Sequence, residues 1–570
     1  MSLEAVDIKI VWDRLVSAVN AASRAHQMSA FSTAVTEAND FGCTLLNAKG
    51  ELVATSDFGL PSFCLMTPVG VQRLIADGVL DQVRDGDVWI HNDPWRAAAQ
   101  VNDLLVIKPI FRDGVLEGYA TSVAHSPDLG GMREWFNTTD VYEEGLLIPP
   151  LPLVEAGRRN TTLWKMIEAN TRIPAQTIGD LEAQIVSATS IASRTVDILD
   201  EHGAVRLADW SAEVIGRCEQ LMRAATAAVP DGVYAAEKYL APWDFGSAEG
   251  EPSVTLAVRV VVEGEELTLD FTGTTDQVTR SVNSVAPFTR AYAIYALRLL
   301  LTPGIPHNEG FARPAHVVTR EGSALAAARP HACLARHVIG HHVPDLVNLA
   351  LAEALPERAR AESGSSPAWT LVLTPLEGRY QNVPRLFGLA GGTGARRESA
   401  GQTIMYPVNI GTSSVEMLER TLPIRFVEKS MRPETAGAGR AEGGCGQHVE
   451  IDTLGPMIYT FMAGNIRHRP RGLDGGTAGA AGSAEIDKTP ISPGSGRVGA
   501  GSTFVLQTPG GGGYGAVPDR ERAVPGAEDE SARAAAGGGR ATAPPGDPLR
   551  AKVAAGGSRA APMSSTAGSP

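Results

Sequence analysis

Residues 103–125 read DLLVIKPIFRDGVLEGYATSVAH, and this stretch decides the fold around it. Apolar residues fill both arms, and Asp113-Gly114 between them is typical of a tight β-turn. The stretch therefore predicts a β-hairpin with strands at 104–111 and 115–124.

The predicted register brings polar side chains together at the open end of this hairpin. With the turn centred near residue 113, Asp103 lies opposite about Ala124, one position from His125. Cross-strand neighbours lie ~5 Å apart, so we expect a carboxylate and an imidazole to meet there. Gln100 and Asp128, each three residues outside the hairpin, can reach this end. Histidine and carboxylates at strand ends suit Mn, Zn or Fe(II), and the alternative is a His–Asp hydrogen bond that pins the hairpin.

The segments on either side predict an α+β fold with several subdomains. An N-terminal part of mixed helices and hairpins, residues 1–235, carries the candidate site, and residues 236–515 form a β-rich, Gly-rich C-terminal part. Residues 516–570 contain no Phe, Trp, Tyr or Ile, so we expect a disordered tail. Amphipathic spacing predicts helices at 8–19, 178–200, 290–300 and 344–355, and alternation predicts strands at 43–46, 51–55, 254–260 and 267–269.

Composition and charge argue against several kinds of partner, and also against a membrane span, a secretory signal and a disulfide framework. The net charge of −14 and pI near 5.4 argue against nucleic acid or anionic membrane as the main partner. The longest apolar run, 291–301, is interrupted by Arg298 and is too short to span a membrane. Acidic Glu4 and Asp7 near the N-terminus are unlike a secretory signal, so we expect a cytoplasmic protein. The five cysteines form no C-x-x-C pair, which predicts reduced, packing thiols.

Common nucleotide and nucleophile motifs are missing from the sequence. The G-x-G-x-x-G matches at 494–499 and 510–515 lack the strand-to-helix context of a dinucleotide site, so we interpret them as loop glycines. There is no Gly-Lys dipeptide and no G-x-S-x-G elbow, which leaves no recognisable place to bind ATP. No carboxylate at metal-ligand spacing accompanies His337, His341 and His342, so we expect them to pack or to lie at the start of a helix.

Motifs spread over residues 5–515 resemble the hydantoinase B/oxoprolinase family. This family includes N-methylhydantoinase B, the C-terminal halves of 5-oxoprolinases, and the large subunits of acetone and acetophenone carboxylases. The motifs that carry the resemblance are Gly86-Asp87-Val88, Asn92-Asp93-Pro94, Ala124-His125, Asp128-Leu129-Gly130-Gly131-Met132, Glu144-Gly145-Leu146, Gly179-Asp180-Leu181, Asp270-Phe271-Thr272-Gly273, Asn308-Glu309-Gly310, Arg432-Pro433 and 508–515.

The resemblance implies an ATP-dependent reaction shared between two subunits of a hetero-oligomer. A hydantoinase A-type partner binds ATP and phosphorylates a small-molecule substrate, and the B-type subunit completes hydrolysis of a cyclic amide. A second possibility within the family is a ketone carboxylase of the acetone or acetophenone type. A third is a metal-free paralogue that scaffolds a complex without catalysing a reaction itself.

The family's metal motif, G-T-H-x-x-D followed by a histidine after the next strand, maps onto the hairpin. Asp103 and His125 match it, and Gln100 stands where the first histidine is expected. Ser126 and Phe63 also stand where many members have histidine. The resemblance implies a divalent metal (Mn, Zn or Fe) held by Asp103, His125 and Gln100. The residues predicted to be catalytic are Asp103, His125, Asp128 and Asp93.

Overall fold

A computed structural model of the protein describes residues 5–203, 205–246, 252–406 and 408–517. The helices are α1 Ala5–Ser29, α2 Thr33–Thr36, α3 Pro61–Ala76, α4 Thr161–Asn170, α5 Pro174–Glu201, α6 Leu207–Ala227, α7 Ala286–Leu301, α8 His337–Gly340, α9 Val343–Ala350 and α10 Val415–Thr421. None of these described helices is long and apolar enough to cross a membrane.

The strands occur in runs between and after these helices along the described residues. They are β1 Phe41–Asn47, β2 Leu52–Thr55, β3 Val88–His91, β4 Asp103–Arg112, β5 Val115–His125, β6 Leu151–Glu155, β7 Arg158–Arg159, β8 Gly232–Leu240, β9 Val254–Glu263, β10 Glu266–Asp270, β11 Ala315–Val318, β12 Trp369–Pro375, β13 Arg385–Leu389, β14 Ile424–Arg432, β15 Gly446–Thr453, β16 Met457–Met462, β17 Ser483–Ile486, β18 Thr489–Pro490, β19 Gly494–Val498 and β20 Thr503–Gln507.

The predicted hairpin forms the centre of a seven-stranded sheet. The strand order is β2-β1-β5-β4-β3-β6-β7, and every pair is antiparallel. Both faces of β4 and β5 are covered, which explains why the two strands are apolar almost throughout. Helices α1 and α5 pack against one face, and α3 packs against the other, next to α7.

The observed register corrects the predicted one by a single residue. Asp103 lies directly opposite His125, and Leu104 lies opposite Ala124. A β-bulge causes the difference, because the pairing shifts between Ile110 and Phe111 and leaves Glu117 as the extra residue of β5. Asp103 and His125 therefore leave the sheet on the same face, which brings them closer than predicted.

The second half of the molecule contains three further sheets. Their strand orders are β11-β10-β9-β8, β13-β12-β16-β19 and β14-β15-β20-β17-β18. The mixture of helices and antiparallel sheets confirms the predicted α+β fold. The division near residue 235 stays a prediction, and the predicted tail, beyond Val517, lies outside the described residues.

Most predicted elements are present with longer bounds. An exception is the helix predicted over 344–355, which is α9 and ends at Ala350. The backbone there tightens into turns, and Pro356 disfavours helical geometry at the residue before it.

Extended glycine-rich segments pack closely together near the end of the described chain. We call residues 391–395, 437–446, 472–480 and 509–514 the glycine layer. A Cβ placed on Gly511 would lie only 2.0 Å from the carbonyl oxygen of Thr393. The N–H groups of 510–513 donate to carbonyls of four separate partners, Ala480, Gly444, Glu362 and Thr477. Glycine is needed here because backbones approach too closely for any side chain.

Candidate active site

Three polar side chains meet at the open end of the central hairpin. The Gln100 amide nitrogen donates to Asp103 Oδ1 at 3.1 Å and lies 2.9 Å from His125 Nδ1. His125 Nδ1 lies 3.1 Å from the same oxygen of Asp103. All three residues are buried, so little water competes for these contacts. The structure thus brings together the three residues that the sequence predicted as metal ligands.

The backbone around this cluster is tightly bonded. The Asp103 N–H donates to the Gln100 carbonyl at 3.0 Å, and the His125 N–H donates to the Asp40 carbonyl at 3.0 Å. On the opposite face of the sheet, the Gln184 amide of α5 donates to the carbonyls of Leu104 and Ser122. These bonds hold the ends of β4 and β5 in one geometry.

A fourth residue, Arg336, was not predicted from the sequence. One of its terminal nitrogens donates to Asp103 Oδ2 at 2.8 Å, and its side chain is buried. The guanidinium carbon lies 4.7 Å from the centre of the Phe288 ring, a cation–π contact. Arg336 immediately precedes α8 and is more than 200 residues from Asp103, so no local sequence pattern could have linked them.

The cluster lies beside a mainly apolar cavity with a volume of about 70 Å³. Aromatic and aliphatic side chains form most of the lining, and polar groups converge on one part of it. The polar lining residues are Asp40, Ser62, Gln100, His125, Arg336, His337, His341 and Thr370. An apolar pocket with a few convergent polar groups is the usual form of a small-molecule site.

Burial and neighbouring charges shift the pKa values of groups around the cavity. Burial raises the pKa of Asp40 to about 6, although the charges of His125 and Arg336 oppose this effect. Burial lowers the pKa of His125, but the Asp103 hydrogen bond and the Asp40 charge together raise it above its ordinary value. Burial lowers the pKa of His337 to about 3. The two imidazoles at this cavity therefore differ, because the pKa of His125 is raised and that of His337 is lowered.

The histidines near residue 340 differ from each other in their surroundings. His341 accepts a hydrogen bond from the Ala368 N–H at 3.3 Å, which leaves its Nε2–H facing the Tyr292 hydroxyl at 3.2 Å. His337 and His341 both line the cavity, whereas His342 precedes α9, at the start of a helix as predicted. No spacing in the sequence indicated that two of the three would face a cavity.

Asp93 and Asp128 lie outside the cavity lining. Asp93 accepts the Trp95 N–H at 3.1 Å and pairs with Arg329 at 2.5 Å. Asp128 accepts from both the backbone and the side chain of Arg172. The structure does not bring these two carboxylates together with Asp103 and His125, and their catalytic roles stay predictions.

The two other positions where family members have histidine serve packing and backbone bonding. Phe63 is fully buried in the core beneath the sheet. The Ser126 N–H donates to the Asn102 carbonyl at 2.7 Å, and its hydroxyl donates to the Asp128 carbonyl at 3.3 Å. Neither residue supplies a nitrogen ligand.

Glu144 connects one motif of the resemblance to the chain segment before Arg336. Its Oε1 accepts the N–H groups of Cys333 and Leu334, both at 2.6 Å. Burial raises the pKa of Glu144 to about 8, although these two hydrogen bonds lower it. Glu144 thereby fixes the backbone that carries Arg336 into the site.

The geometry of the cluster does not fit a divalent cation. The contacting atoms are close enough to be neighbouring ligands, but Gln100 turns its amide nitrogen toward Asp103 and donates to the carboxylate, so this nitrogen offers no lone pair to a metal ion. Asp103 already bonds a permanent cation, Arg336, through its second oxygen. A metal ion here would have one anionic ligand, shared with a guanidinium, and a single imidazole.

A second group with metal-ligand spacing lies away from the cavity. Ligand atoms of Glu428, His448 and Glu450, on β14 and β15, fall within 4.8 Å of one another. His448 also contacts the Gln507 amide at 3.2 Å. Glu428 is exposed, and exposed acidic groups of this kind are common on sheet surfaces.

Comparison with known proteins connects this chain to one family. The hydantoinase B/oxoprolinase family model matches residues 4–517. The chain is 28% identical to the B-type subunit of a D-/L-hydantoinase of Pseudomonas sp. (strain NS671), over 91% of each protein. The crystal structure of ATP-dependent caprolactamase from Pseudomonas jessenii matches with a TM-score of 0.82 and 23% identity, covering 90% of this chain and 92% of that one. The nucleotide-free acetone carboxylase structure matches with a TM-score of 0.77 and 17% identity, covering 89% and 76%.

Proposed function

The chain belongs to the hydantoinase B/oxoprolinase family, and from this premise we propose that it is the B-type subunit of an ATP-dependent cyclic-amide hydrolase. In this proposal a hydantoinase A-type partner binds ATP and phosphorylates the substrate, and this chain completes the hydrolysis. The observation that carries the proposal is the polar cluster of Gln100, Asp103, His125 and Arg336 beside an apolar cavity.

Two observations support division of the reaction between two subunits. The relative with 28% identity over nearly the whole chain is named as the B-type subunit of a hydantoinase. The sequence has no Gly-Lys dipeptide and so lacks a phosphate-binding loop of the Walker type. We therefore place ATP on the partner and expect a hetero-oligomer, which we locate in the cytoplasm.

The chemistry explains why phosphorylation and hydrolysis would be coupled. An amide carbon is a poor electrophile, and phosphorylating its oxygen makes the carbon open to attack by water. The ring C–N bond then breaks as the ring nitrogen takes a proton from the added water, which leaves an acyl phosphate. A second water molecule hydrolyses this acyl phosphate to the free carboxylate and inorganic phosphate. Buried donors and charges next to the reacting carbon stabilise the charge that develops in these steps.

The cluster supplies groups suited to this reaction. Arg336 provides a fixed positive charge, and Asp103 orients both Arg336 and His125. His125 lines the cavity and can exchange a proton with water or with the ring nitrogen. The aromatic and aliphatic lining would hold the carbon skeleton of a small cyclic amide and exclude bulk water.

Reconstitution with the A-type partner tests the proposal. We expect hydantoin, 5-oxoproline or a lactam to stimulate ADP release, with a ring-opened product detected by mass spectrometry. The D103N variant of the complex should lose this product while the assembled complex remains intact by size-exclusion chromatography.

The same assay distinguishes the two other functions that the family allows. A carboxylated product from a ketone plus bicarbonate would replace the hydrolase proposal with a carboxylase. Full turnover by a complex containing D103N would instead indicate that this chain is a scaffold and that catalysis lies on the partner.

A further inference from the structure

Arg336 occupies an unusual position for an arginine, inside the cluster that resembles a metal site. Its side chain is 5% exposed and is held between Asp103 and the ring of Phe288. Its Nε has no hydrogen-bond partner among the described residues, although the side chain lines the cavity. A buried guanidinium with an unbonded N–H is costly unless a ligand oxygen completes its bonding.

The Arg336 guanidinium lies directly against the Asp103 carboxylate. A divalent cation would be held by the Asp103 carboxylate, and the carboxylate instead bonds Arg336 at 2.8 Å. Gln100, in place of an imidazole, points its NH₂ group toward Asp103 and His125. In this chain a hydrogen-bond donor thus stands where the resemblance places a ligand, and a permanent cation balances the carboxylate.

We infer that Arg336 takes the place of the metal ion, so that this site binds its ligand with a guanidinium and without a bound metal. The ligand class is an oxygen acceptor, such as a carbonyl or phosphoryl oxygen, placed against the Arg336 guanidinium where it lines the cavity. If the proposed function holds, this oxygen belongs to the substrate, but a test of metal binding does not depend on turnover.

Metal binding by the tag-free chain tests the inference directly. We expect the wild-type chain to retain less than about 0.1 equivalent of Mn, Zn or Fe by elemental analysis after dialysis. Titration calorimetry with ZnCl₂ and MnCl₂ should show no stoichiometric site in wild type or in Q100H. The Q100H/R336M double variant should bind one equivalent, at least about 100-fold more tightly than wild type.

Two further variants test whether metal binding by the double variant comes from the lost charge at Arg336 or from a general effect of removing a buried arginine. R336K keeps a cation beside Asp103 and should still exclude metal. R112M removes another buried arginine, which pairs with Glu117 at 3.3 Å in the same hairpin but away from the cavity, and it should gain no metal site. If the double variant is poorly folded, refolding with Zn²⁺ should raise its melting temperature, whereas Zn²⁺ should leave that of wild type unchanged.

Several results would overturn the inference. They are one equivalent of tightly held metal on the wild-type chain, metal binding by Q100H alone, or no metal binding by the refolded double variant. A chain that excludes metal but shows no turnover with any partner would leave the inference standing and would contradict only the proposed function.

Discussion

The open end of the central hairpin and the glycine layer are both polar regions, but they are held together differently. At the hairpin, Asp103, His125 and Arg336 are joined by charge and hydrogen bonds between side chains. In the glycine layer, peptide N–H groups donate to peptide carbonyls of neighbouring segments, and at several glycines the neighbouring backbone lies too close for a side chain. Side chains at the hairpin can be substituted if the charges remain balanced. A closely packed glycine of the layer cannot be replaced even by alanine, which adds one carbon atom.

The largest effect is expected from adding that carbon atom. In G511A the new Cβ would lie 2.0 Å from the Thr393 carbonyl oxygen, far inside van der Waals contact. We expect a loss of more than about 4 kcal/mol of stability, seen as loss of soluble, cooperatively melting protein. G499A is the matched control, because nothing lies within 4 Å of its Cβ. Similar melting of the two variants would contradict the tight packing of the layer.

A smaller effect is expected from removing charge at the hairpin. D103N leaves the Arg336 guanidinium buried without its carboxylate, which costs ~3–5 kcal/mol for buried pairs. The control is D452N, whose partner Arg425 lies mostly in solvent. Thermal melts of both variants should show a clear decrease for D103N and little change for D452N. Equal melting temperatures would mean that the buried pair adds nothing to stability.

The smallest effect, when measurements one pH unit apart are compared, is a change of pH dependence at Glu144, a buried carboxyl group that bonds backbone N–H groups. Its folded-state pKa of about 8 lies above the ordinary value of 4.5, so the folded protein holds a proton that the unfolded chain releases. This contribution to stability is fully present below pH ~4.5 and is lost as pH rises through ~8, by at most ~1.4 kcal/mol per pH unit.

Replacing this carboxyl group should remove that part of the pH dependence. E144Q cannot titrate and keeps an oxygen to accept the N–H groups of Cys333 and Leu334. Its melting temperature should therefore fall less than that of wild type between pH 5 and pH 8. E143Q, at the neighbouring, less buried position, should keep the wild-type slope, because the pKa of Glu143 is lowered. Parallel curves for E144Q and wild type would contradict a protonated Glu144.

The hairpin could be predicted because residues that are close together in the sequence specify it. The turn at Asp113-Gly114 and the apolar arms specify two strands, and their length places Asp103 near His125. The exact register could not be predicted, because the bulge at Glu117 depends on how β5 packs and pairs in the complete sheet. A one-residue bulge leaves no signal in the sequence of β5, because both faces of this strand are covered and polar and apolar residues do not alternate along it.

The rest of the site could not be predicted because it is assembled from distant segments. Arg336 and the histidines that follow it reach the hairpin through the packing of α7 and α8, which no spacing in the sequence specifies. Conversely, Asp93 and Asp128 lie near the hairpin in sequence, but Arg329 and Arg172 bind their carboxylates elsewhere. Distance along the chain from the hairpin therefore did not indicate which residues line the cavity.

The glycine layer has a consequence for how the protein is made. Residues 510–513 come last among the layer's segments, yet their peptide groups bond the segments around Glu362, Gly444, Thr477 and Ala480. On the ribosome, those earlier segments emerge before residues 510–513, whose peptide groups complete their hydrogen bonding. This half of the molecule can therefore close only after nearly all of the described chain has been translated, which makes the nascent protein a candidate client for chaperones.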